Sequence, residues 1–348
     1  MRKESGVGIL ELLVGMFVGI LVLLSAMGSL SYYQSVQRNS MSGNSALANA
    51  VSGLYLIGND LRLAGLGLTV GGQMACSSLN ASYNGTTTSN GGLMAPVSIA
   101  DNNGVTPDVI TVMYGDTIYS GAPATLLTAQ ASPSGSFSIP LAAGSQMGTA
   151  GLLAVPGSTL PCTLVGVSSV NTSGSTAVVT LGGAPYNPAN PAGAYSNAVT
   201  YSTAGYFLNL NLLHWDTWSI VNNVLQVQDN MTGIVQTIAD NVVQMHAEYG
   251  VTNGVSPGIS QWVRATGTWT PLTSTLIPQI VAVRIAIVSR STQPQKPNSA
   301  GVCNTTTTPP VTWTGSPSMS LASNANWMCY RYRVLRMVFP LKNIVWGG

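Results

Sequence analysis

Hydrophobic and polar positions fall into two regimes along the chain. Residues 7–30 are almost continuously apolar, with Glu11 the one charge in 24 residues. A helix of that length is about 36 Å long, enough to cross a hydrocarbon core of ~30 Å. Beyond it no proline occurs before Pro96, and Leu47, Val51, Leu54, Ile57 and Leu61 recur at three- and four-residue steps. That spacing predicts an amphipathic helix continuing to about Ala64, one face packed on whatever follows. After Gly65 the pattern becomes short β-rich runs between Gly, Asn, Ser and Pro. Strands are predicted at Asp108–Tyr114, Gly151–Val155, Ala177–Leu181, Tyr206–Leu213, Val224–Val227, Ile280–Val288 and Val334–Ile344. Val243, Met245, Ala247 and Tyr249 alternate with Gln244, His246 and Glu248, which predicts a half-buried strand. Ser78–Asn90 and Pro294–Pro317 read as polar loops. The organisation is therefore a short leader (1–6), a membrane-length helix (7–30), an amphipathic continuation (31–65) and a β-rich head (66–348).

Composition sharpens this picture. Only 6% of the 348 residues are charged and the formal net charge is +2, which excludes the broadly basic surface of a nucleic-acid coat. The polar remainder is neutral Ser, Thr, Asn and Gly, suited to a chain that leaves the cytosol. Between Arg62 and Arg264 lie seven acids and no base, and from Arg264 onward eight bases and no acid. Folding of the acidic stretch against the basic tail is the plain expectation. Arg331 and Arg333 are placed on one face of a strand, with Tyr330 and Tyr332 on the other.

Catalytic patterns are missing. No G-x-S-x-G, H-E-x-x-H or Walker-type loop is present, and neither His214 nor His246 has a Ser or Cys at a recognised spacing. His246 and Glu248 share a strand face and read as a solvated one. Asp101-Asn-Asn-Gly104 with Asp108 reads as an Asx turn before a strand, its glycine too early for a calcium loop. Neither histidine is near a cysteine, which argues against zinc. Cys76, Cys162, Cys303 and Cys329 instead suggest two disulfides in an oxidising compartment. Three pairings are open, and the local pair Cys303–Cys329 is preferred. No enzyme, cofactor or metal is expected.

The amino terminus carries the strongest signal. Arg2 and Lys3 set the leader on the cytoplasmic side. Glu11 within the apolar span costs ~2.5–3.5 kcal/mol on insertion scales unless it finds a partner. No cation lies between Lys3 and Arg38, so an α-amine made by cutting after Gly6 is the economical one. Gly6-Val-Gly-Ile-Leu-Glu11-Leu-Leu-Val-Gly-Met resembles the class III signal of type IV prepilins. The resemblance implies cleavage after Gly6 by a prepilin peptidase, N-methylation of Val7, and a subunit-register role for Glu11. Val7 stands where the family has Phe, and Gly8 where it has Thr or Ser. Gly28 sits where many major pilins have a helix-breaking proline, and with Gly15 and Gly19 it could let the helix melt locally or allow close helix packing.

Landmarks in the head narrow the resemblance. Asp60-Leu-Arg62-Leu-Ala-Gly65, Asp108–Gly115, Ile238–Val251, Val281–Arg290, and Arg331-Tyr-Arg333 with Leu341-Lys342-Asn343 resemble, in order and spacing, the PilW type of minor pilin. Residues 116–200 carry no such landmark. This implies an α+β type IV pilin fold, non-catalytic, serving pilus initiation in a priming or tip complex. Implied partners are other minor pilins, the major pilin, the prepilin peptidase and the inner membrane; nucleic acid is not expected. The implied location is the bacterial inner membrane with the head in the periplasm, then the pilus at the cell surface. A type II secretion pseudopilin and an unprocessed membrane-anchored adhesin are the alternatives.

Overall fold

The computed structural model describes residues 8–116, 122–130, 135–141, 148–182, 185–186, 200–254, 258–316, 319–321 and 326–345. Helix α1 (Ile9–Leu63) runs unbroken through Gly15, Gly19 and Gly28. It ends where Ala64 turns extended and Gly65 adopts φ 81°, a left-handed conformation open to glycine. Its lower half, Ile9–Gln34, is 26 residues of apolar helix with none of it buried against the head. Its upper half buries Ala46, Ala50, Leu54, Ile57 and Leu61. The stripe expected from the sequence is thus corrected at its start, since Leu47 and Val51 remain 43% and 49% exposed. Each lies about 100° round the helix from Ala46 or Ala50, and the small alanines bring the helix onto the sheet. Burying Leu54, Ile57 and Leu61 contributes on the order of 1.5–3 kcal/mol each.

The strands follow in three groups. The first is β1 (Thr69–Val70), β2 (Gln73–Met74), β3 (Ser78–Tyr83), β4 (Thr86–Leu93), β5 (Val97–Ala100) and β6 (Val109–Gly115). The second is β7 (Ala124–Thr125), β8 (Ser136–Pro140), β9 (Ala150–Ala154), β10 (Cys162–Ser173), β11 (Thr176–Leu181) and β12 (Tyr206–Asn209). The third is β13 (Leu213–Val221), β14 (Val224–Asp229), β15 (Val235–Asp240), β16 (Val242–Val251), β17 (Gln261–Val263), β18 (Ile280–Arg290) and β19 (Tyr332–Pro340), closed by the short α2 (Lys342–Val345).

Three sheets of four or more strands form among the described residues. The order β15-β14-β13-β6-β5 makes one, β17-β16-β18-β19 a second, and β4-β3-β10-β9-β12-β7 with β11 and β8 a third. Helix α1 lies against the first two, where Leu54, Ile57 and Leu61 join Val112, Leu225, Met245, Ile285, Ile287 and Phe339 in one core. The third sheet has its own apolar clusters and contains most of the described residues between 116 and 200, where the sequence offered no landmark. The disulfide Cys76–Cys162 ties β10 to the segment leading into β3.

Several expectations are corrected. Strand β16 is buried at every position, so the polar set Gln244, His246 and Glu248 faces no solvent. Its second face is covered by the chain between β18 and β19, where Met319 and Leu321 pack on Val243 and Val288 and the Cys303–Cys329 disulfide closes a loop. Ser78–Asn90 is no loop but most of the hairpin β3/β4; its Ser, Thr and Asn side chains satisfy neighbouring backbone, as Ser89 does with the Leu79 carbonyl at 2.7 Å. Tyr206–Leu213 divides into two strands because Asn211 takes φ 60°. Arg331 precedes β19, and Tyr330 ends a turn outside it. Strand β19 also stops at Pro340, short of Ile344.

Candidate membrane and filament interface

Glu11 sits in the first turn of α1. Gly8, in extended conformation, precedes the helix and donates its N–H to the Glu11 carboxylate at 3.2 Å. A carboxylate is favoured there, because the first N–H groups of a helix are unpaired and its dipole is positive at that end. The charge expected to stand alone in the apolar span is therefore drawn to the start of the helix. Gly6 and Val7 lie outside the described residues. Around and beyond Glu11 the apolar surface is open on every side, with Leu10, Phe17, Leu23 and Leu30 all more than 59% exposed. An open apolar surface this large has to be covered by lipid or by other helices.

On the far face of the four-stranded sheet the structure brings together polar residues that the sequence scattered. His246 Nδ1 is 2.8 Å from Asp108 Oδ2, and its Nε2 is 3.4 Å from Glu248 Oε1. Arg284, opposite Glu248 in register, donates its Nε to that carboxylate at 2.9 Å. Trp262 and Trp313 cover the Arg284 guanidinium at 4.8 and 4.6 Å from their ring centres. Asp108 also stands in for a missing strand partner: it donates its N–H to Met245 O and accepts from Ala247 N–H, both at 2.9 Å. One aspartate, just before β6, thereby joins the sheet containing β6 to the sheet containing β16.

Opposite charges hold this cluster together. Burial alone would depress the His246 pKa, but its close contact with Asp108 and the neighbouring Glu248 carboxylate outweigh it and lift the group to about 9. Burial likewise opposes ionisation of Glu248, yet His246 and Arg284 hold its carboxyl below the usual range. Nearby, Arg264 grips Asp101 through two bonds of 2.8 and 2.6 Å. Asp101 makes the expected Asx turn by accepting from Asn103 N–H at 2.7 Å. Acidic stretch and basic tail do pair, then, through Arg264 and Arg284. Arg331 and Arg333 have no carboxylate partner among the described residues. Sequence reasoning placed His246 and Glu248 on a solvated face; the cover from a distant loop carried no period-two signal that could have corrected it.

A second polar site lies where α1 meets β13 and β14. Asp60 accepts from Trp218 Nε1 at 2.8 Å and Tyr114 Oη at 2.9 Å, which ties the end of α1 to β13 and β6. Asp216 and Asp229 stand opposite each other in register. All three carboxylates line a groove of about 450 Å³. Burial raises the Asp60 carboxyl despite those two bonds. Burial first, then Asp60 and Asp229, push Asp216 up to about 7.

A long apolar helix running directly into a β-rich head defines an α+β protein suited to membrane anchoring. Residues 214–343 match the family model of PilW, the type IV pilus-assembly protein W. The chain is PilW-like over that stretch, which links it to type IV pilus assembly and to other pilus components. No curated protein and no solved structure matches the chain.

Proposed function

We propose that the chain is a minor pilin, a non-catalytic subunit that takes part in initiating and assembling a type IV pilus from the inner membrane. The observation that carries this reading is the continuity of α1: one helix is bare and apolar over Ile9–Gln34 and packed on the head from Ala46 onward. Such a helix is stable in a bilayer and equally stable among parallel helices in a filament core, so assembly exchanges one apolar cover for another. Cleavage after Gly6 would create a new amine at Val7, and the Glu11 carboxylate already accepts the N–H of residue 8. Glu11 then sets axial register by pairing with the amine of an adjacent subunit.

Mass spectrometry of the mature protein, with its recovery in sheared filaments, tests the reading. The expected result is a chain beginning at N-methylated Val7 and present in the filament fraction. An intact Met1, or a processed chain that never leaves the membrane fraction, overturns it.

A further inference from the structure

Arg331 and Arg333 are exposed and have no carboxylate partner among the described residues. Their height on the molecule follows from the packing of α1 against β19. A Cβ added to Gly43 would lie 3.8 Å from Arg333 Nη2, and one added to Gly58 would overlap the Phe339 ring. Gly43 and Gly58 are ~22 Å apart along a helix, and Arg333 and Phe339 ~20 Å apart along a strand. Strand β19 therefore runs up the head alongside the helix, with Arg333 near its lower end. The ladder continues below: Tyr332 stands opposite Arg290, and Ser291 donates its N–H to the Arg331 carbonyl at 2.8 Å. Ser289 Oγ donates to the Ala46 carbonyl at 2.7 Å, tying the same end of β18 to the helix. Arg290 stacks on Tyr330 at 4.5 Å from the ring centre. Exposed Lys296 follows Gln295, which donates its N–H to the Cys329 carbonyl. The base of the head is thus basic. Asp240, whose carbonyl accepts from Asn49, is level with a helical turn ~9 Å above Gly43.

The apolar span of α1 ends at Gln34. Tyr32 and Tyr33 are exposed at its top, side chains of the kind that settle at a membrane interface. Gly43, and with it Arg333, lies ~14 Å above Gln34. Two strand steps lower, Arg331 lies ~7 Å above it. The polar layer of a bilayer extends ~5–7 Å beyond the hydrocarbon on each side. Arg331 and Arg290 thus come down to the headgroups, and Arg333 stays within the ~8–10 Å over which salt does not screen a charge. We propose that this base is a docking surface for anionic phospholipid headgroups, which hold the head against the membrane while the chain is anchored. The inference rests on the membrane-anchored part of the reading above. Guanidinium groups suit the role, because each presents paired donors to phosphate oxygens. A cluster of bases beside a membrane helix attracts anionic lipid, and each base near the surface strengthens the attraction about fivefold.

The full-length chain in vesicles provides the test. A donor fluorophore on Gln293→Cys, an exposed position two residues beyond Ser291, reports the distance to acceptor-labelled headgroups. The vesicles are phosphatidylcholine alone, or phosphatidylcholine with phosphatidylglycerol. The expected result is a docked-to-undocked ratio about tenfold higher with phosphatidylglycerol, falling back in high salt. Arg331→Glu with Arg333→Glu should abolish that gain. Arg331→Lys with Arg333→Lys should keep most of it, which separates lost charge from a damaged fold. Equal energy transfer in both lipids, or a gain that survives the glutamate pair, overturns the proposal. Arginine-dependent recovery in filaments without any lipid dependence assigns these side chains to a neighbouring protein and overturns it too. A chain that inserts into both vesicles and shows no lipid dependence refutes the docking alone, whereas one that inserts into neither refutes the anchored reading and the docking with it.

Discussion

Phe339 occupies the space that a Cβ on Gly58 would fill. The ring edge of Phe339, near the end of β19, lies within overlap distance of that position, and the ring itself is 1% exposed. Gly53, one turn earlier, meets Leu225 in the same way. In an exposed helix Gly→Ala stabilises by ~1 kcal/mol. Here the overlap should win, and Gly58→Ala should destabilise the head by about 1–3 kcal/mol. Chemical denaturation of the full chain in detergent measures it, with exposed Gly28→Ala as the comparison expected to leave head stability unchanged.

The buried histidine predicts a pH dependence. Its folded pKa of about 9 lies above the ordinary 6.5, so its contribution is complete below pH 6.5 and is lost as pH rises through 9. Thermal midpoints of the wild-type head should fall between pH 6.5 and 9. His246→Gln should be less stable at pH 6 and show a flatter slope. An unchanged slope would mean that His246 carries no charge in the folded state.

Asp216 predicts the opposite consequence of a mutation. Its folded pKa of about 7 lies above the ordinary 3.8, so stability declines as pH rises from about 4 to 7 and stays reduced above. Asp216→Asn removes the charge and keeps the shape. The variant should gain thermal stability at pH 8 and gain little at pH 4, a difference that scanning calorimetry resolves.

The Cys303–Cys329 bridge, at a sequence separation of 26, should stabilise the loop that covers β16 by about 2–4 kcal/mol. Cys303→Ser with Cys329→Ser should loosen that cover first. Acrylamide quenching of Trp313, which stacks on Arg284, should increase before global unfolding does. Intact wild-type protein, denatured without reductant, should titrate no free thiol.

Glu11→Ala should leave the protein membrane-inserted and, on the proposed reading, processed, while cutting its recovery in sheared filaments about tenfold. Glu11→Gln keeps the shape and loses the charge-assisted bond. Equal loss in both variants assigns the effect to charge, and normal recovery in both removes the register role.

How much of this was legible in the sequence follows from the range of the interactions. Helix α1 and most strands could be read because periodicity is local: Ile9–Leu63 has no proline, and strands such as β11 and β18 are dense in β-branched residues. Glu11 could be singled out because a lone charge in an apolar run is visible without any fold. The cysteines announced disulfides, but only the fold brought Cys76 to Cys162 across 86 residues. His246 read as solvated because alternation reports the polarity of a face and says nothing of what covers it. That cover comes from the loop after β18 and from Asp108, 138 positions upstream. The Asp216–Asp229 opposition depends on strand register, which the local alternation of residue types does not specify. Local pattern determined the elements and the apolar helix; the tertiary structure alone decided which charges are paired, because Coulomb and hydrogen-bond partners are chosen by proximity in space.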